Sequence, residues 1–286
     1  MIDTFLLSMD LNLEGKHILV TGGTGGIGSA IVDQLIEEKA RITIHYHSNV
    51  LKADEIQQKY DSKHIFLAQA DLRKEEDIDN LFLLANEQFG RIDGLVANSG
   101  IWNSDSTLTS ELSLDQWNNI LNVNLTGVFL CVRSYFRNLI KYPGKFASVV
   151  LIGSTAGYFG EAGHADYSAT KAALMYGLTK TWKNEIINYA ELGRVNSIGP
   201  GWVLTEMAMK SLEDKEHIKK ILQTIPMQKI AKASDVASMV LFLLSNKVSG
   251  HLNGETILLS GGMEGRVLFD KTAINLGIFE KLAEED

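Results

Sequence analysis

The chain has 286 residues, of which 45% are hydrophobic and 22% charged, a composition typical of a folded globular protein. Its 27 basic and 35 acidic residues give a net charge of −8, and no basic cluster is present, which argues against nucleic-acid binding. No stretch approaches the ~18 uncharged apolar residues of a membrane span, and Phe5-Leu6-Leu7 is too short for a signal-peptide core. We therefore expect a cytoplasmic protein with no nucleic-acid or membrane partner.

Short β-rich runs alternate with longer helical patterns along the chain. Ile18-Leu19-Val20 and Val149-Val150-Leu151-Ile152 are continuously apolar, which is typical of parallel strands buried on both faces. Helical patterns cover Ile27–Glu38, Glu75–Phe89 and Ser234–Leu244. The predicted strands are His17–Thr21, Arg41–Tyr46, Ile65–Gln69, Gly94–Ala97, Ala147–Ile152, Arg194–Ile198 and Glu255–Leu259. This alternation predicts a Rossmann-type α/β fold, a doubly wound parallel sheet of about seven strands with helices on both faces.

The chain contains no internal repeat, low-complexity tract or Pro/Gly/Ser-rich linker, so we expect a single domain over residues 1–286. Residues 1–12 are predicted to be an N-terminal extension and residues 263–286 a C-terminal one. The C-terminal extension includes an amphipathic stretch from Ile274 to Leu282, which is compatible with capping a neighbouring subunit's site or with extending a dimer interface. Cys131 is the only cysteine, so no intrachain disulfide is possible, and its run Phe129-Leu130-Cys131-Val132 predicts a buried helix face with an inert thiol.

A glycine-rich segment follows the first predicted strand and opens the first helix. It reads Val20-Thr21-Gly22-Gly23-Thr24-Gly25-Gly26-Ile27-Gly28. Glycines let the backbone turn tightly and approach a pyrophosphate, and the helix N-terminus then offers free N–H groups to the phosphates. A glycine-rich turn can also be purely structural, so this segment by itself leaves both interpretations open.

Further motifs occur in a fixed order on the predicted elements. They are Thr21-Gly22-x3-Gly26-Ile27-Gly28, Asp71-Leu72, Asn98-Ser99-Gly100, Asn124, Ser154, Tyr167-x3-Lys171 and Pro200-Gly201-x3-Thr205. In this order the chain resembles the short-chain dehydrogenase/reductase family over roughly residues 13–262. Ile225-Pro226-Met227-Gln228-Lys229, followed by Ser234-Asp235-Val236-Ala237, resembles 3-oxoacyl-carrier-protein reductase-like members. The resemblance implies an NAD(P)(H)-dependent oxidoreductase that interconverts a carbonyl and a secondary alcohol.

The resemblance implies a catalytic set of four residues. Tyr167 would act as the general acid/base, and Lys171, four residues later on the same helix face, would lower its pKa and bond the nicotinamide ribose. Ser154 would bind the substrate oxygen and stabilise charge there. Asn124 would hold a water that links Lys171 to solvent.

The same resemblance assigns cofactor contacts. Asp71 and Leu72 would lie at the adenine, Asn98 and Gly100 at the adenosine ribose, and Pro200, Gly201 and Thr205 at the nicotinamide carboxamide. The family commonly has Asn-Ala-Gly where this chain has Asn98-Ser99-Gly100, a change that we expect to leave binding intact.

The end of the second predicted strand determines the choice between NADP and NAD. No acidic residue stands there to bond a ribose 2′-hydroxyl, and the stretch Tyr46-His47-Ser48-Asn49 resembles the Tyr-Arg-Ser-Asn of NADP-type members. We therefore expect NADP(H) to be favoured over NAD(H), with His47 in the arginine's place and a preference that strengthens at lower pH.

Other chemistry-bearing residues leave alternatives open. His45 and His47 share a strand face and would suit a metal, although no third ligand accompanies them, and partly exposed strand residues are the simpler interpretation. Loop aromatics at Trp102, Phe159, His164 and Trp202 are compatible with a pocket wall or with plain packing. Met207 and Met209 are compatible with a lid over the substrate or with ordinary packing. No metal is expected.

Two rival functions share the predicted fold. One is a catalytically silent cofactor-binding or redox-sensing protein, against which the complete set Ser154, Tyr167 and Lys171 argues. The other is an epimerase or dehydratase of the extended family, for which the chain is short. The expected partners are a small carbonyl or alcohol substrate and further copies of the chain, as a homotetramer or dimer built through the helices that carry Asn124 and Tyr167.

Overall fold

The computed structural model describes residues 10–268, 271–274 and 276–277 of the chain. Every predicted strand is present within two residues of its predicted ends, and two short strands are added. The strands are β1 (His17–Val20), β2 (Arg41–Tyr46), β3 (Ile65–Gln69), β4 (Gly94–Ala97), β5 (Phe146–Ile152), β6 (Leu192–Pro200), β7 (Val203–Leu204), β8 (Ala231–Lys232) and β9 (Thr256–Leu259).

Seven of these strands form one parallel sheet in the order β3-β2-β1-β4-β5-β6-β9, and β7 pairs separately with β8. The chain moves outward from β1 in one direction, returns to the centre with β4 and continues the other way. This order is that of a doubly wound dinucleotide-binding fold and confirms the predicted fold class. Ligands of such sheets bind at the carboxyl ends of the strands where the order reverses, which here is the boundary between β1 and β4.

Helices cover both faces of the sheet, and the three predicted helices are present within one residue of their predicted ends. They are α1 (Gly26–Glu37), α2 (Val50–Lys59), α3 (Glu75–Phe89), α4 (Leu114–Leu121), α5 (Gly127–Lys141), α6 (Thr155–Phe159), α7 (Ala165–Ala172), α8 (Thr179–Glu185), α9 (Glu206–Met209), α10 (Lys215–Leu222), α11 (Ala233–Leu244) and α12 (Asn246–Ser249). Short 3₁₀ turns are found at Ile186–Asn188, Lys210–Leu212 and Lys271–Ala273.

Two apolar cores explain why the central strands are continuously hydrophobic. Along β5, Val149 and Leu151 belong to the core beneath α3 and α5, while Val150 and Ile152 belong to the core beneath α1 and α11. Neighbouring side chains of a strand point to opposite faces, so both faces require apolar residues. Burying each such side chain contributes roughly 1.5–3 kcal/mol, and the sheet is thereby held rigid under the loops at its carboxyl edge.

Two π-helical turns interrupt long helices near the predicted catalytic residues. Asn122–Thr126 joins α4 to α5 and contains Asn124. Ala173–Leu178 joins α7 to α8 and begins two residues after Lys171. Such turns are rare and frequently occur at functional sites, where they redirect a side chain or a carbonyl group.

The lone thiol is buried as predicted, but its neighbour is not. Cys131 is fully buried in α5, and burial raises the pKa of its thiol to about 12, so it is inert. Phe129 is 43% exposed, which contradicts the prediction that its whole run is buried. Two residues correspond to about 200° around a helix, so Phe129 and Cys131 lie on opposite faces.

Parts of both predicted extensions lie outside the described residues. These parts are residues 1–9, residues 269–270, most of the amphipathic stretch from Ile274 to Leu282, and residues 283–286. Among the helices that the structure describes, none is long and apolar enough to cross a membrane.

Candidate active site

The glycine-rich segment forms a tight turn between β1 and α1. The N–H of Gly25 donates to the carbonyl of Gly22 at 3.1 Å. A Cβ on Gly28 would lie 2.1 Å from that same carbonyl oxygen, so the turn admits no side chain there. Because α1 begins at Gly26 with no side-chain cap, its first N–H groups remain available to an anionic ligand.

Thr21 and Asn98 fasten this turn to the end of β4. The Thr21 hydroxyl oxygen accepts hydrogen bonds from the backbone N–H groups of Asn98 and Ser99, each at 3.0 Å. The Asn98 amide donates to the carbonyls of Thr21 and Gly22, also at 3.0 Å each. The Asn98 amide therefore holds the glycine turn in place. The resemblance had assigned this residue to the adenosine ribose.

His45 is the residue whose surroundings differ most from the sequence-based expectation. It is buried rather than partly exposed. Its Nδ1 accepts the N–H of Gly22 at 3.0 Å, and its Nε2 donates to the carbonyl of Ala70 at 3.0 Å. Both ring nitrogens are occupied, which leaves no lone pair for the metal site considered with His47. Burial lowers the pKa of His45 to about 4, so the ring is neutral.

The loops after β2 and β3 bring charged groups to the far end of the cleft. Arg73 holds the Asp71 carboxylate with two bonds, Nε to Oδ1 at 2.9 Å and Nη2 to Oδ2 at 2.7 Å. Hydrogen bonding to Arg73 is the main reason why the pKa of Asp71 lies well below its usual range. The Nε2 of His47, which is exposed, lies 3.9 Å from Asp71 Oδ2. The sequence reasoning missed Arg73, although it stands two residues after Asp71.

Asn124 fixes the chain that follows β4. Its Oδ1 accepts the N–H of Ile101 at 2.8 Å, and its amide donates to the carbonyl of Ile101 at the same distance. Asn124 is fully buried, and the cavity described below is not lined by it. In the described contacts it is thus a positioning residue, and the water-holding role implied by the resemblance stays a prediction.

Ser154, Tyr167 and Lys171 meet at the carboxyl end of β5. Ser154 caps α6 by accepting the N–H of Ala156 at 3.1 Å. Tyr167 and Lys171 lie one turn apart on α7, and the Lys171 Nζ is 5.5 Å from the centre of the Tyr167 ring. The Lys171 ammonium is buried and donates to the carbonyl of Ile152 at 2.8 Å.

Burial shifts the pKa values of the phenol and the amine in opposite directions, each towards its uncharged form. Burial raises the pKa of Tyr167 to about 12, while a hydrogen bond with Ser154 and the charge of Arg266 act in the opposite direction. Burial lowers the pKa of Lys171 to about 8. For Tyr167, removal of the phenol from water outweighs the hydrogen bond with Ser154 and the charge of Arg266. The expected effect of Lys171 on the pKa of Tyr167 stays a prediction.

These groups line one cavity of about 640 Å³ at the carboxyl edge of the sheet. The predicted residues that line it are Gly22, Gly26, Ile27, Gly28, His47, Asp71, Leu72, Asn98, Gly100, Ser154, Tyr167, Lys171, Pro200, Gly201 and Thr205. Thr21 and Asn124 stand behind this surface. A Cβ on Gly100 would project to 3.4 Å from Lys171 Nζ and 3.3 Å from Asn124 Oδ1. The absence of a side chain at Gly100 therefore leaves room beside Lys171 and Asn124.

The candidate pocket aromatics divide into two groups. Trp102 and Trp202 line the cavity, with ring centres 6.0 Å apart, and Met207 lines it as well. His164 is buried behind Trp102 and stacks on it at 5.1 Å. Phe159 packs against an apolar cluster beside the cavity, so His164 and Phe159 serve packing.

Among the lining residues that the sequence analysis did not single out are two of opposite charge, Glu161 and Arg266. In the sequence Glu161 stands between Ser154 and Tyr167, whereas Arg266 belongs to the predicted C-terminal extension. The described start of that extension therefore borders the cavity of its own chain.

Comparisons with a protein family, with related sequences and with solved structures agree on one family. A family described as short chain dehydrogenase matches residues 16–216. The chain is 33% identical over 255 residues to glucose 1-dehydrogenase 2 of Bacillus subtilis, covering 88% of this chain and 96% of that one. It is 36% identical over 259 residues to the 3-oxoacyl-(acyl-carrier-protein) reductase FabG of Aquifex aeolicus, covering 89% of this chain and 100% of that one. A solved short-chain dehydrogenase/reductase of Brucella melitensis, described as a glucose/ribitol dehydrogenase, superposes with a TM-score of 0.79 at 29% identity, covering 87% and 97% of the two chains.

Proposed function

The chain belongs to the short chain dehydrogenase family and is an NAD(P)-dependent oxidoreductase, and from that premise we propose that it interconverts a carbonyl compound and a secondary alcohol. In this proposal Tyr167 transfers the proton to or from the substrate oxygen. The observation that carries it is the meeting of Ser154, Tyr167 and Lys171 in the cavity that begins at the glycine turn.

The protonation state of Tyr167 suits a general acid. With its pKa raised to about 12, the phenol is protonated near neutral pH and can donate to an oxygen that gains negative charge. The hydroxyl of Ser154, hydrogen-bonded with Tyr167, would donate to the same oxygen and stabilise that charge. A protonated phenol is the form that carbonyl reduction needs, and oxidation of an alcohol, which releases a proton, gains as the pH rises.

The residues around the cavity fit a nicotinamide dinucleotide, which supplies the hydride when bound. The turn at Gly22–Gly28 and the open N-terminus of α1 would hold the pyrophosphate. Lys171, already positioned by the carbonyl of Ile152, would donate to the nicotinamide ribose. Pro200, Gly201 and Thr205 would line the carboxamide end.

For the choice of cofactor we propose NADP(H) over NAD(H). No acidic residue ends β2, whereas Arg73 and His47 line the cavity beside it. A guanidinium and an imidazole favour a 2′-phosphate, and Arg73 already pairs with the Asp71 carboxylate, which would otherwise repel it.

We further propose that the protein is a homo-oligomer, a tetramer or a dimer, built through the long helical segments that carry Asn124 and Tyr167. Large apolar side chains are exposed there, including Phe129 and Ile140 on α5 and Tyr176 and Ile187 after α7. Monomers seldom expose such surfaces in clusters. Light scattering coupled to gel filtration measures the assembly, and charged substitutions at Phe129 and Tyr176 should reduce it.

The experiment for the activity is a cofactor-oxidation screen with NADPH and NADH over a panel of aldehydes and ketones. Tyr167→Phe keeps the ring and its packing but removes the proton, so turnover should fall by at least ~100-fold while the cofactor Kd stays unchanged. Near-wild-type turnover in Tyr167→Phe overturns the proton role. Tight NADPH binding with no turnover on any carbonyl supports the catalytically silent alternative.

A further inference from the structure

Arg266 reaches into the cavity from the segment that follows β9. Its Nε donates to the carbonyl of Gly160 at 3.3 Å, and its Nη2 donates to the Thr155 hydroxyl at 3.4 Å. Nη2 also lies 3.7 Å from Glu161 Oε2. The side chains of Arg266 and Glu161 are only 18% and 16% exposed, and both line the cavity.

The ion pair between these two residues has spare hydrogen-bonding capacity. The 3.7 Å between its nitrogen and oxygen exceeds the ~2.7–3.2 Å of a direct hydrogen bond. Among the described contacts, the Glu161 carboxylate accepts no hydrogen bond, and the two donors that Arg266 uses make long ones. One hydroxyl group between the two side chains would accept from Arg266 and donate to Glu161 at normal distances.

The pair stands next to the proposed reaction centre. Arg266 contacts Thr155, which directly follows Ser154. Its positive charge lowers the pKa of Tyr167, and the negative charge of Glu161 raises it, so both charges lie close enough to act on the phenol. A group bound by the pair would therefore belong to the same substrate, on the side of the cavity where Thr155 follows Ser154.

The charge balance discriminates between classes of substrate. A carboxylate on the substrate would meet Glu161 as well as Arg266, and the repulsion would cancel much of the attraction. An alkyl chain would bury two charged groups without satisfying them, which is costly. A hydroxyl satisfies both at once, while Trp102 and Trp202 on the same cavity give apolar surface to the adjoining C–H bonds.

We propose that Arg266 and Glu161 form a hydroxyl-recognition pair and that the substrate is a polyhydroxylated carbonyl compound or the matching polyol. This inference rests on the proposed oxidoreductase function of the same cavity. It makes Arg266, from the C-terminal extension, a specificity-determining residue for its own chain.

The test compares three compounds that differ only in the group beside the reacting carbon. They are cyclohexanol, cis-cyclohexanediol with adjacent hydroxyls, and cis-hydroxycyclohexanecarboxylate with the carboxylate on the adjacent carbon. Oxidation rates are measured with NADP+ and NAD+, and binding to the protein–NADP+ complex is measured by ligand-observed NMR, which needs no turnover. We expect the diol to exceed cyclohexanol by about tenfold to a hundredfold in kcat/KM and in affinity, as for hydrogen bonds to charged groups.

The variants are Arg266→Met and Glu161→Gln, with Glu264→Gln as the control because Glu264 is exposed in the same segment. Arg266→Met should abolish the preference, so that the kcat/KM of the diol divided by that of cyclohexanol falls to about one. Glu161→Gln should lose part of the preference for the diol and improve the carboxylate. Glu264→Gln should behave as wild type.

Three outcomes overturn the recognition pair. In the first, the wild-type protein shows no preference for the diol over cyclohexanol, and in the second it prefers the carboxylate. In the third, Arg266→Met loses kcat/KM equally on the diol and on cyclohexanol, which would mean a structural role. If the diol binds preferentially through Arg266 but none of the compounds or their ketones turns over, the recognition pair stands and the proposed activity fails. The two proposals are thereby tested separately.

Discussion

The backbone N–H of Gly22 donates to Nδ1 of His45 at 3.0 Å, and the Nε2 of the same ring donates to the carbonyl of Ala70 at 3.0 Å. One buried imidazole thus joins the proposed phosphate-binding turn to the loop that carries Asp71. The geometry of the two ends of the cofactor cleft depends on this ring.

Replacing His45 should weaken cofactor binding without touching the reacting groups. His45→Leu removes both hydrogen bonds and leaves a buried N–H and a buried carbonyl unpaired, so we expect NADPH to bind about tenfold more weakly. Fluorescence titration of NADPH gives the Kd. His45→Gln, whose amide offers both a donor and an acceptor, should recover part of the loss, and the exposed His251→Gln is the control. Equal Kd values for His45→Leu and wild type contradict the idea.

Acid should destabilise the fold through two buried histidines. His17 donates through Nδ1 to the carbonyl of Gly90 and accepts from the Thr43 hydroxyl at Nε2, and burial lowers the pKa of both His17 and His45 to about 4. Unfolded histidine titrates near 6.5, so the unfolded state binds more protons between the two values. The stabilisation is complete above about pH 6.5 and is lost as the pH falls towards 4.

Between about pH 7.5 and pH 5, each histidine should remove about 2 kcal/mol from the free energy of unfolding. Urea denaturation across this range measures the effect. In a His45→Gln variant the free energy of unfolding should fall with decreasing pH at roughly half of the wild-type slope. In His251→Gln the slope should equal that of the wild type. An unchanged slope in His45→Gln would exclude His45 as a contributor.

The pH profile of carbonyl reduction should report Lys171. Burial lowers its pKa to about 8, so its positive charge is present below that pH and is lost above it. We expect kcat/KM to be level in the acid range and to decline above about pH 8 with the slope of a single proton. Lys171→Arg keeps a cation at all these pH values, so its lower activity should be independent of pH there. A decline at the same pH in Lys171→Arg assigns the titration to another group.

Arg73 should contribute to the choice of cofactor. Arg73→Gln removes a guanidinium that lines the cleft and frees Asp71 to repel a 2′-phosphate. Because Arg73 is 44% exposed, we expect a moderate effect, a Kd for NADPH about five- to tenfold weaker and a Kd for NADH unchanged or improved. Arg137→Gln, on the outer surface of α5, is the matched control. Equal weakening of both cofactors by Arg73→Gln contradicts a role in selectivity.

Local patterns in the chain were enough to predict the sheet and much of the cleft. β2, β3, β4 and α3 have the predicted bounds because apolar runs and helical periodicity depend on near neighbours. The glycine turn follows from a steric limit, since a Cβ on Gly28 would clash with the carbonyl of Gly22. The one-turn spacing of Tyr167 and Lys171 is likewise a property of a single helix.

Only the tertiary structure revealed contacts between residues far apart in the chain. The sequence places His45 on a strand but does not show that Gly22 and Ala70 would enclose its ring. The burial that raises the pKa of Tyr167 comes from its surroundings in the folded chain.

The ion pair of Arg266 and Glu161 is the clearest case, because the segment after β9 meets the loop between α6 and α7 only when the sheet has assembled. The sequence alone determined the fold, the glycine turn and the order of the candidate catalytic residues, since each follows from a pattern within one element. Charge pairing, burial and the recognition of substrate depend on distances between elements, and packing of the two cores against the sheet sets those distances.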